Sequence, residues 1–293
     1  MLPDPTYAGY RAGSALARLL PEAAVAPLSA GLGTIAALVL ADKRHMVARH
    51  QQRVHPELEG RRLDAAVRTT FASYVHYWIE SFRLPGTSAE ELARRMEIRG
   101  WEHVEAGLAA GTGVILALPH LGGWEWAGFW LSAVQHVRVT VVAEMVDPPE
   151  LAEWFIDLRE KFGMDVVPLG PDAGTRVARA LRDNQVVCLL CDRDLGGGGI
   201  EVDFFGERTT LPGGPATLAI RSGAPLLPTA TYFQGDRHLG VIEAPLDTSR
   251  HGKLRADVSR VTQDLATALE PLISRASDQW HLMQPNWPSD RTS

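Results

Sequence analysis

Cysteine is scarce in this 293-residue chain. Cys188 and Cys191 are too few to build a disulfide framework, and a reducing cytoplasm fits this usage. Both lie in one predicted strand, three positions apart, where side chains alternate between the two faces. The two thiols therefore point to opposite sides of the sheet and are not expected to act as a redox pair. Four zinc ligands do not come together in this region either, and no metal site is predicted.

Excess positive charge is also missing. Lys and Arg number 29 against 35 Asp and Glu, which gives a formal net charge of -6 at pH 7. With no long basic run, this balance argues against a general nucleic-acid-binding protein. The sequence lacks the basic start and small-residue cleavage site of a secretory signal peptide. A G-x-S-x-G nucleophile elbow is absent as well, so no serine nucleophile is predicted.

One long run of the sequence has no charge at all. Residues 23–41 are long enough to suggest a transmembrane helix. However, the run is rich in Ala and Gly, contains Pro27, and has little of the Leu, Ile and Phe that favours insertion. We therefore expect a buried helix or one that lies on a membrane surface. Residues 43–62 carry six basic and only two acidic side chains. They could contact anionic headgroups, with a solvated helical face as the alternative.

The order of predicted elements indicates two regions. Residues 1–84 read as mainly helical, because apolar residues recur at intervals of three and four. From residue 97 onward, short apolar strands alternate with helices, a pattern typical of a sheet with substantial parallel character. The sequence therefore predicts an α/β fold with a central mixed, largely parallel β-sheet flanked by helices and a helical N-terminal region. We expect a single domain over 1–293, with an α/β catalytic core at 97–293.

A histidine stands at the end of one predicted strand. The segment VILALPHLGGWE places His120 just after the strand and Glu125 in the first turn of the next helix. Ligands of such sheets bind beyond the carboxyl ends of the strands, and the two glycines allow a sharp turn. A carboxylate bound to one imidazole nitrogen makes the other a better base. We predict that Glu125 orients His120, and that His120 activates a substrate hydroxyl for attack on an activated carbonyl. A histidine that only caps the strand is the alternative.

Charged residues follow a second predicted strand. Asp192, Arg193 and Asp194 stand at its end and precede four glycines. Farther on, the VDFFG segment leads to a helix that opens at Pro215, and free N–H groups there could hold a phosphate or an oxyanion. For the two aspartates, salt bridges at the base of the loop are the alternative role.

These motifs together resemble the bacterial lysophospholipid acyltransferase superfamily, in particular its lipid A lauroyl/myristoyl acyltransferase branch. Within that branch the chain looks most like the actinobacterial phosphatidylinositol mannoside acyltransferases. The resemblance runs from about residue 10 to the tail. It rests on HLGGWE as an H-x4-D/E motif, R-x-x-F-G at 159–163, CDRD, VDFFG followed by GGPATLA, and GAPLLP. The related glycerol-phosphate acyltransferases usually carry Asp where this chain has Glu125, and this branch accepts Glu.

The resemblance implies an O-acyltransferase that needs no cofactor. It would move a fatty acyl chain from acyl-CoA, or from acyl carrier protein, to a sugar hydroxyl of a glycophospholipid. It would do so at the cytoplasmic face of the inner membrane, in peripheral contact with an anionic surface. His120 would be the general base, oriented by Glu125, with no covalent intermediate, and Asp192 or Asp194 would also reach His120. The remaining substrate-binding residues would be Arg159, Arg193 and the turn Phe204, Phe205, Gly206 for a phosphate or oxyanion, and Trp124, Trp126, Phe129 and Trp130 for the acyl chain.

Two other functions stay open from the sequence. A glycosyltransferase would use Asp192-Arg193-Asp194 as a D-x-D motif that holds a divalent metal and a nucleotide sugar. A non-catalytic lipid-binding protein would keep the fold, and its lipid binding would not depend on His120. For the tryptophans and phenylalanines, core packing is the alternative role.

Overall fold

The N-terminal region is helical, as the sequence predicts. The computed structural model describes residues 5–145 and 148–291, so residues 1–4 of the predicted helical region lie outside the described residues. The first four helices are α1 Pro5–Leu19, α2 Glu22–Val39, α3 Ala41–Val54 and α4 Gly60–Arg83. Helices α1, α2 and α3 all pack on α4, which joins this region to the rest of the structure.

Helix α2 contains most of the uncharged run. One of its faces, spaced by four residues, is buried against α4 and consists of Val25, Ser29, Gly33 and Ala37. The opposite face exposes Leu28, Leu32, Ile35, Leu38 and Val39. Within the described residues, α2 is the one helix whose length and mean hydropathy of 1.5 would allow it to cross a membrane. The helix is therefore buried on one side only and presents an apolar surface on the other.

The close packing of α2 on α4 depends on Gly33. A Cβ atom at this position would lie 2.5 Å from the Cα and N atoms of Ala72, and this backbone cannot move aside cheaply. We expect Gly33→Ala to lower the free energy of unfolding by about 1–3 kcal/mol through overpacking. Gly31→Ala is the matched control, because nothing lies within 4 Å of its added Cβ. It should stabilise the helix by about 0.5–1 kcal/mol. Chemical denaturation measures the free energy of unfolding of both variants. Equal changes in this free energy would contradict the packing explanation.

A seven-stranded sheet forms the centre of the structure. Its order is β1-β9-β8-β2-β5-β3-β4, and every neighbouring pair is parallel except β8 and β9. Its seven strands are β1 Met96–Arg99, β2 Val114–Leu118, β3 Val139–Ala143, β4 Met164–Pro168, β5 Val186–Leu190, β8 Leu226–Gln234 and β9 Arg237–Ile242; two further strands, β6 Ile200–Phe204 and β7 Glu207–Leu211, lie outside this sheet. The mixed, largely parallel sheet that the sequence predicts is confirmed.

Helices cover both faces of this sheet. They are α5 Ala89–Arg94, α6 Trp101–Ala109, α7 Trp124–Ala133, α8 Pro149–Lys161, α9 Ala173–Arg182, α10 Gly214–Ser222 and α11 Leu254–Ser274. Alternate residues of β2 belong to two core clusters: Leu116 packs with α7, and Ile115 packs with α9, α10 and α11. Every residue of β2 is buried, as expected for a parallel strand covered on both sides.

A two-stranded hairpin, β6–β7, was not predicted. It pairs Ile200–Phe204 with Glu207–Leu211 in antiparallel register and packs on α11. Its turn places Phe205 at φ 50° and Gly206 at φ 76°. The sequence lacks the Asn-Gly or Asp-Gly pair that signals such a turn, which explains why the hairpin was missed.

Candidate active site

His120 lies beyond the carboxyl end of β2, in a tight turn that leads into α7. Gly122 in this turn has φ 59°, and a Cβ atom there would lie only 2.1 Å from the carbonyl oxygen of Thr231. Only glycine fits both constraints. The turn therefore brings His120 to the sheet edge where a ligand was expected.

Asp192 holds His120 in place. It follows β5, which is the direct neighbour of β2 in the sheet. Oδ1 of the carboxylate lies 2.6 Å from His120 Nδ1, and Oδ2 accepts from the His120 backbone N–H at 3.0 Å. Trp280 Nε1–H donates to the same Oδ2 at 2.8 Å. A carboxylate can only accept, so Nδ1 carries the proton and Nε2 is left free as the basic nitrogen.

The Asp192 carboxylate is fully buried. Burial by itself would raise its pKa, but the nearby His120 and the hydrogen bonds from His120 and Trp280 outweigh burial, and the pKa of Asp192 is lowered to about 2. Since this value lies below the usual one of about 4, ionised Asp192 favours the folded state above about pH 4. That contribution is lost as the pH falls towards 2. Asp192 is therefore ionised at neutral pH and can stabilise a positive charge on His120.

The predicted contact between Glu125 and His120 is wrong. Glu125 pairs with Arg159 of α8: Arg159 Nε donates to Glu125 Oε2 at 3.2 Å, and Nη2 donates to Oε1. Burial would lower the pKa of Arg159, but Glu125 outweighs it and the pKa is raised. Glu125 lies in the first turn of α7 and faces α8. His120 lies instead beside the end of β5, where Asp192 stands. The Arg159 guanidinium is thus engaged by Glu125, although both residues line the cavity described below.

The two aspartates of the D-x-D sequence do not converge. Asp194 accepts from the backbone N–H groups of Gly196 and Gly199 at 3.1 and 2.8 Å and from Thr210 Oγ1 at 3.0 Å. Its carboxylate thus holds the glycine loop and does not bond to His120, in contrast to Asp192. Between them, Arg193 donates through Nη2 to Glu144 Oε2 at 3.2 Å.

The turn of Phe204, Phe205 and Gly206 does not line the cavity described below. Phe204 is fully buried and stacks on Trp287 with ring centroids 5.7 Å apart. The Phe205 N–H donates to Glu270 Oε1 at 2.6 Å, so it is not free for an oxyanion. The unpredicted hairpin carries this turn into the core around α11, where both phenylalanines pack on Trp280. The substrate-binding role of the turn stays a prediction.

An apolar cavity of about 340 Å³ opens beside His120, a size typical of small-molecule sites. It extends between one face of the sheet and helices α4, α7 and α8. Its side chains include Tyr77, Trp78, Leu116, Leu118, Trp124, Trp130, Val141, Phe155, Cys188, Leu190 and Ile242. Burial raises the pKa of Cys188 to about 12, so this thiol stays protonated and is a poor nucleophile.

Two of the four predicted aromatic residues line the cavity. Trp124 stands beside His120, with ring centroids 5.5 Å apart, and Trp130 lies deeper. Trp126 does not line the cavity: it is 1% exposed and stacks on His238 with centroids 4.6 Å apart. Phe129 is fully buried against Phe162 and also lies outside the cavity. On α7, positions 124 and 126 are about 200° apart around the axis, so they cannot share one face.

The segment Gln279–His281 is a part of the site that the sequence does not predict. It lies along the His120 turn: the Gly122 N–H donates to Gln279 O at 3.0 Å, and the His281 N–H donates to His120 O at 2.8 Å. His281 also lines the cavity. The tail motif QWHLMQPNW, rich in Trp and polar residues, was the only available signal, and it contains no spacing that points to His120.

The chain is similar to known bacterial acyltransferases. A family model described as bacterial lipid A biosynthesis acyltransferase matches residues 5–289. The chain is also similar to a phosphatidylinositol mannoside acyltransferase of Mycobacterium tuberculosis (strain ATCC 25618 / H37Rv), 42% identical over 234 residues, 78% of this chain and 72% of that protein. A protein of the same name from Mycolicibacterium smegmatis (strain ATCC 700084 / mc(2)155) is 37% identical over 292 residues, 97% of this chain and 92% of that protein.

Proposed function

The chain belongs to the bacterial lipid A biosynthesis acyltransferase family, and we propose that it transfers a fatty acyl chain from acyl-CoA to a sugar hydroxyl of phosphatidylinositol mannoside. The observation that carries this proposal is the His120–Asp192 pair at the mouth of an apolar cavity. Neither the glycosyltransferase nor the non-catalytic lipid-binding protein is retained, because the family and the relatives are acyltransferases.

His120 is the general base of the proposed reaction. Its Nε2 takes the proton of the acceptor hydroxyl while the hydroxyl oxygen forms a bond to the thioester carbon. The carbonyl π electrons move to oxygen, and the resulting tetrahedral intermediate collapses with loss of the thiolate of CoA, which receives the proton from His120. Ionised Asp192 stabilises the imidazolium between these two steps. No covalent enzyme intermediate is required.

The shape of the cavity supports a long acyl chain as the donor group. Apolar side chains of β2, β5 and β9 line one wall, and the polar lining residues include His120, Glu125, Arg159 and Arg193. Burial of a methylene group is worth about 0.8 kcal/mol, so the chain itself supplies binding energy. Phosphatidylinositol mannoside is proposed as the acceptor because the relatives are named phosphatidylinositol mannoside acyltransferases.

A transfer assay tests this function. Purified protein receives radiolabelled palmitoyl-CoA, with and without phosphatidylinositol mannoside, in the presence of EDTA, and lipid products are separated and identified by mass spectrometry. We expect one acylated mannoside lipid and an equal amount of free CoA. Release of CoA without acylated lipid would mean that the acceptor is wrong. Transfer from palmitoyl acyl carrier protein alone would replace the donor, and no turnover with either donor would contradict the proposed activity.

The enzyme is further proposed to bind the membrane surface through the exposed face of α2. Ile35, Leu38 and Val39 are 57%, 69% and 73% exposed on this face. Lys43 and Arg44 follow in the first turn of α3. An apolar face next to positive charge is typical of a helix that lies on an anionic membrane.

Charge on this face should weaken membrane binding. We expect the double change Ile35→Glu and Leu38→Glu to reduce co-sedimentation with phosphatidylglycerol vesicles at least about tenfold, because each side chain contributes about 1.5 kcal/mol or more when buried. The double control Ala256→Glu and Thr267→Glu adds the same two negative charges to exposed positions of α11 and should bind like the wild type. Unchanged binding of the double variant would contradict docking through α2.

A further inference from the structure

Two unpaired polar atoms belong to residues that line the cavity beside the proposed general base. Thr231 Oγ1 and His281 Nδ1 are buried and have no hydrogen-bond partner among residues 5–145 and 148–291, and both residues line the cavity. Leaving a buried polar group unpaired costs about 1–3 kcal/mol. Such atoms in a native structure call for an explanation, and a ligand that occupies the cavity provides one.

Both residues flank the turn that carries His120. The Thr231 carbonyl lies directly against Gly122, where an added Cβ would come within 2.1 Å of the oxygen. From the other side, the His281 N–H donates to His120 O at 2.8 Å. These backbone contacts place both residues beside the His120 turn, and the thioester carbon must sit near His120 for an activated hydroxyl to reach it.

The ring of His281 is neutral and has one hydrogen to donate. Burial, followed by the nearby His120, lowers the pKa of His281 to about 3. Its Nε2 lies 2.9 Å from Ser73 Oγ. When the Ser73 hydroxyl donates to Nε2, the ring proton resides on Nδ1. Nδ1 is the atom without a partner, so it becomes a free donor in the cavity.

We propose that the Nδ1–H of His281 and the hydroxyl of Thr231 donate hydrogen bonds to the carbonyl oxygen of the acyl thioester and stabilise the oxyanion that forms on it. The inference rests on the proposed function. No proton is transferred in this contact: the oxygen gains negative charge when the acceptor oxygen attacks, and the two donors meet it with fixed dipoles. Ser73 is a positioning residue, because it selects the tautomer of His281.

Isosteric variants test the two donors. We expect His281→Phe and Thr231→Val each to lower kcat about 100-fold, with KM for palmitoyl-CoA and for the acceptor within about threefold of wild type. Slow hydrolysis of palmitoyl-CoA without acceptor should fall by the same factor, since water attack passes through the same oxyanion. Thr262→Val is the matched control: this buried threonine of α11 lies outside the cavity lining, and its hydroxyl bonds to Val258 O at 2.7 Å. Its kcat should not change.

Several outcomes would overturn the inference. An unchanged kcat in both variants would do so. A raised KM for the lipid acceptor with an unchanged rate of hydrolysis would also do so, because it would mean that the two side chains bind the acceptor sugar and not the thioester oxygen. If His281→Phe does not fold, as judged by thermal unfolding, Thr231→Val and Ser73→Ala still decide, the latter with an expected loss in kcat of about tenfold. If the wild-type enzyme is active and the variants are equally active, this inference is contradicted and the proposed function is not. If the wild-type enzyme is inactive, the proposed function is contradicted, and the inference with it.

Discussion

Replacing His120 with alanine is expected to lower the rate of acyl transfer by about 10⁴-fold, at the upper end of what general base catalysis contributes. Without the imidazole, nothing at the end of β2 can accept the proton of the acceptor hydroxyl. The fold should survive, because the buried Asp192 carboxylate keeps two donors, the backbone N–H at position 120 and Trp280 Nε1. The measurement is the initial rate of labelled acyl-lipid formation, with thermal unfolding as the test of folding.

His251→Ala is the control for this change. It removes an exposed histidine that pairs with Asp247 near the start of α11, away from the cavity. Its activity should equal that of the wild type. If His120→Ala retains more than about a tenth of the wild-type rate, His120 is not the general base, since the expected contribution of such a base is about 100-fold or more.

Asp192→Asn is the second change with a very large expected effect, a decrease in kcat of about 10³- to 10⁴-fold. The oxygen of the new amide must take the position of Oδ2, which accepts from two N–H groups. Its NH₂ group then occupies the position of Oδ1 and donates to His120 Nδ1. The ring proton is forced onto Nε2, so the nitrogen that faces the substrate can no longer accept a proton. The decrease should appear in kcat, with KM for palmitoyl-CoA nearly unchanged.

Glu125→Gln, compared with Asp192→Asn, tests which of the two carboxylates supports His120. Its amide oxygen can still accept from Arg159, and no atom of Glu125 bonds to His120. We expect a loss of activity below about tenfold, the range of a neutral hydrogen bond that replaces a charged one. A larger loss for Glu125→Gln than for Asp192→Asn would restore Glu125 as the partner of His120.

Much of the architecture could be predicted because it is encoded locally. Helices α1 to α4 follow apolar periodicity, and the strands from β1 to β5 follow short apolar runs between helices. The position of His120 at a strand end was likewise visible, since a buried strand, two glycines and a helix start are all features of neighbouring residues. The β6–β7 hairpin escaped because its turn uses Phe205 in a left-handed conformation, which the sequence does not signal.

Local patterns could not predict the partners in the site, because they come from distant parts of the chain; the contact of Asp192 or Asp194 with His120 is implied only by the family resemblance. His120 meets Asp192 only because β2 and β5 are neighbours in a parallel sheet, and strand order is not written in any local pattern. Trp280 and His281 reach the same turn from the far end of the chain. By itself, the sequence determined the family and the α/β class, and it pointed to His120 as the base that we propose. The tertiary structure decided which carboxylate bonds to His120 and which polar atoms surround it, because spatial contacts between remote segments depend on how the elements pack.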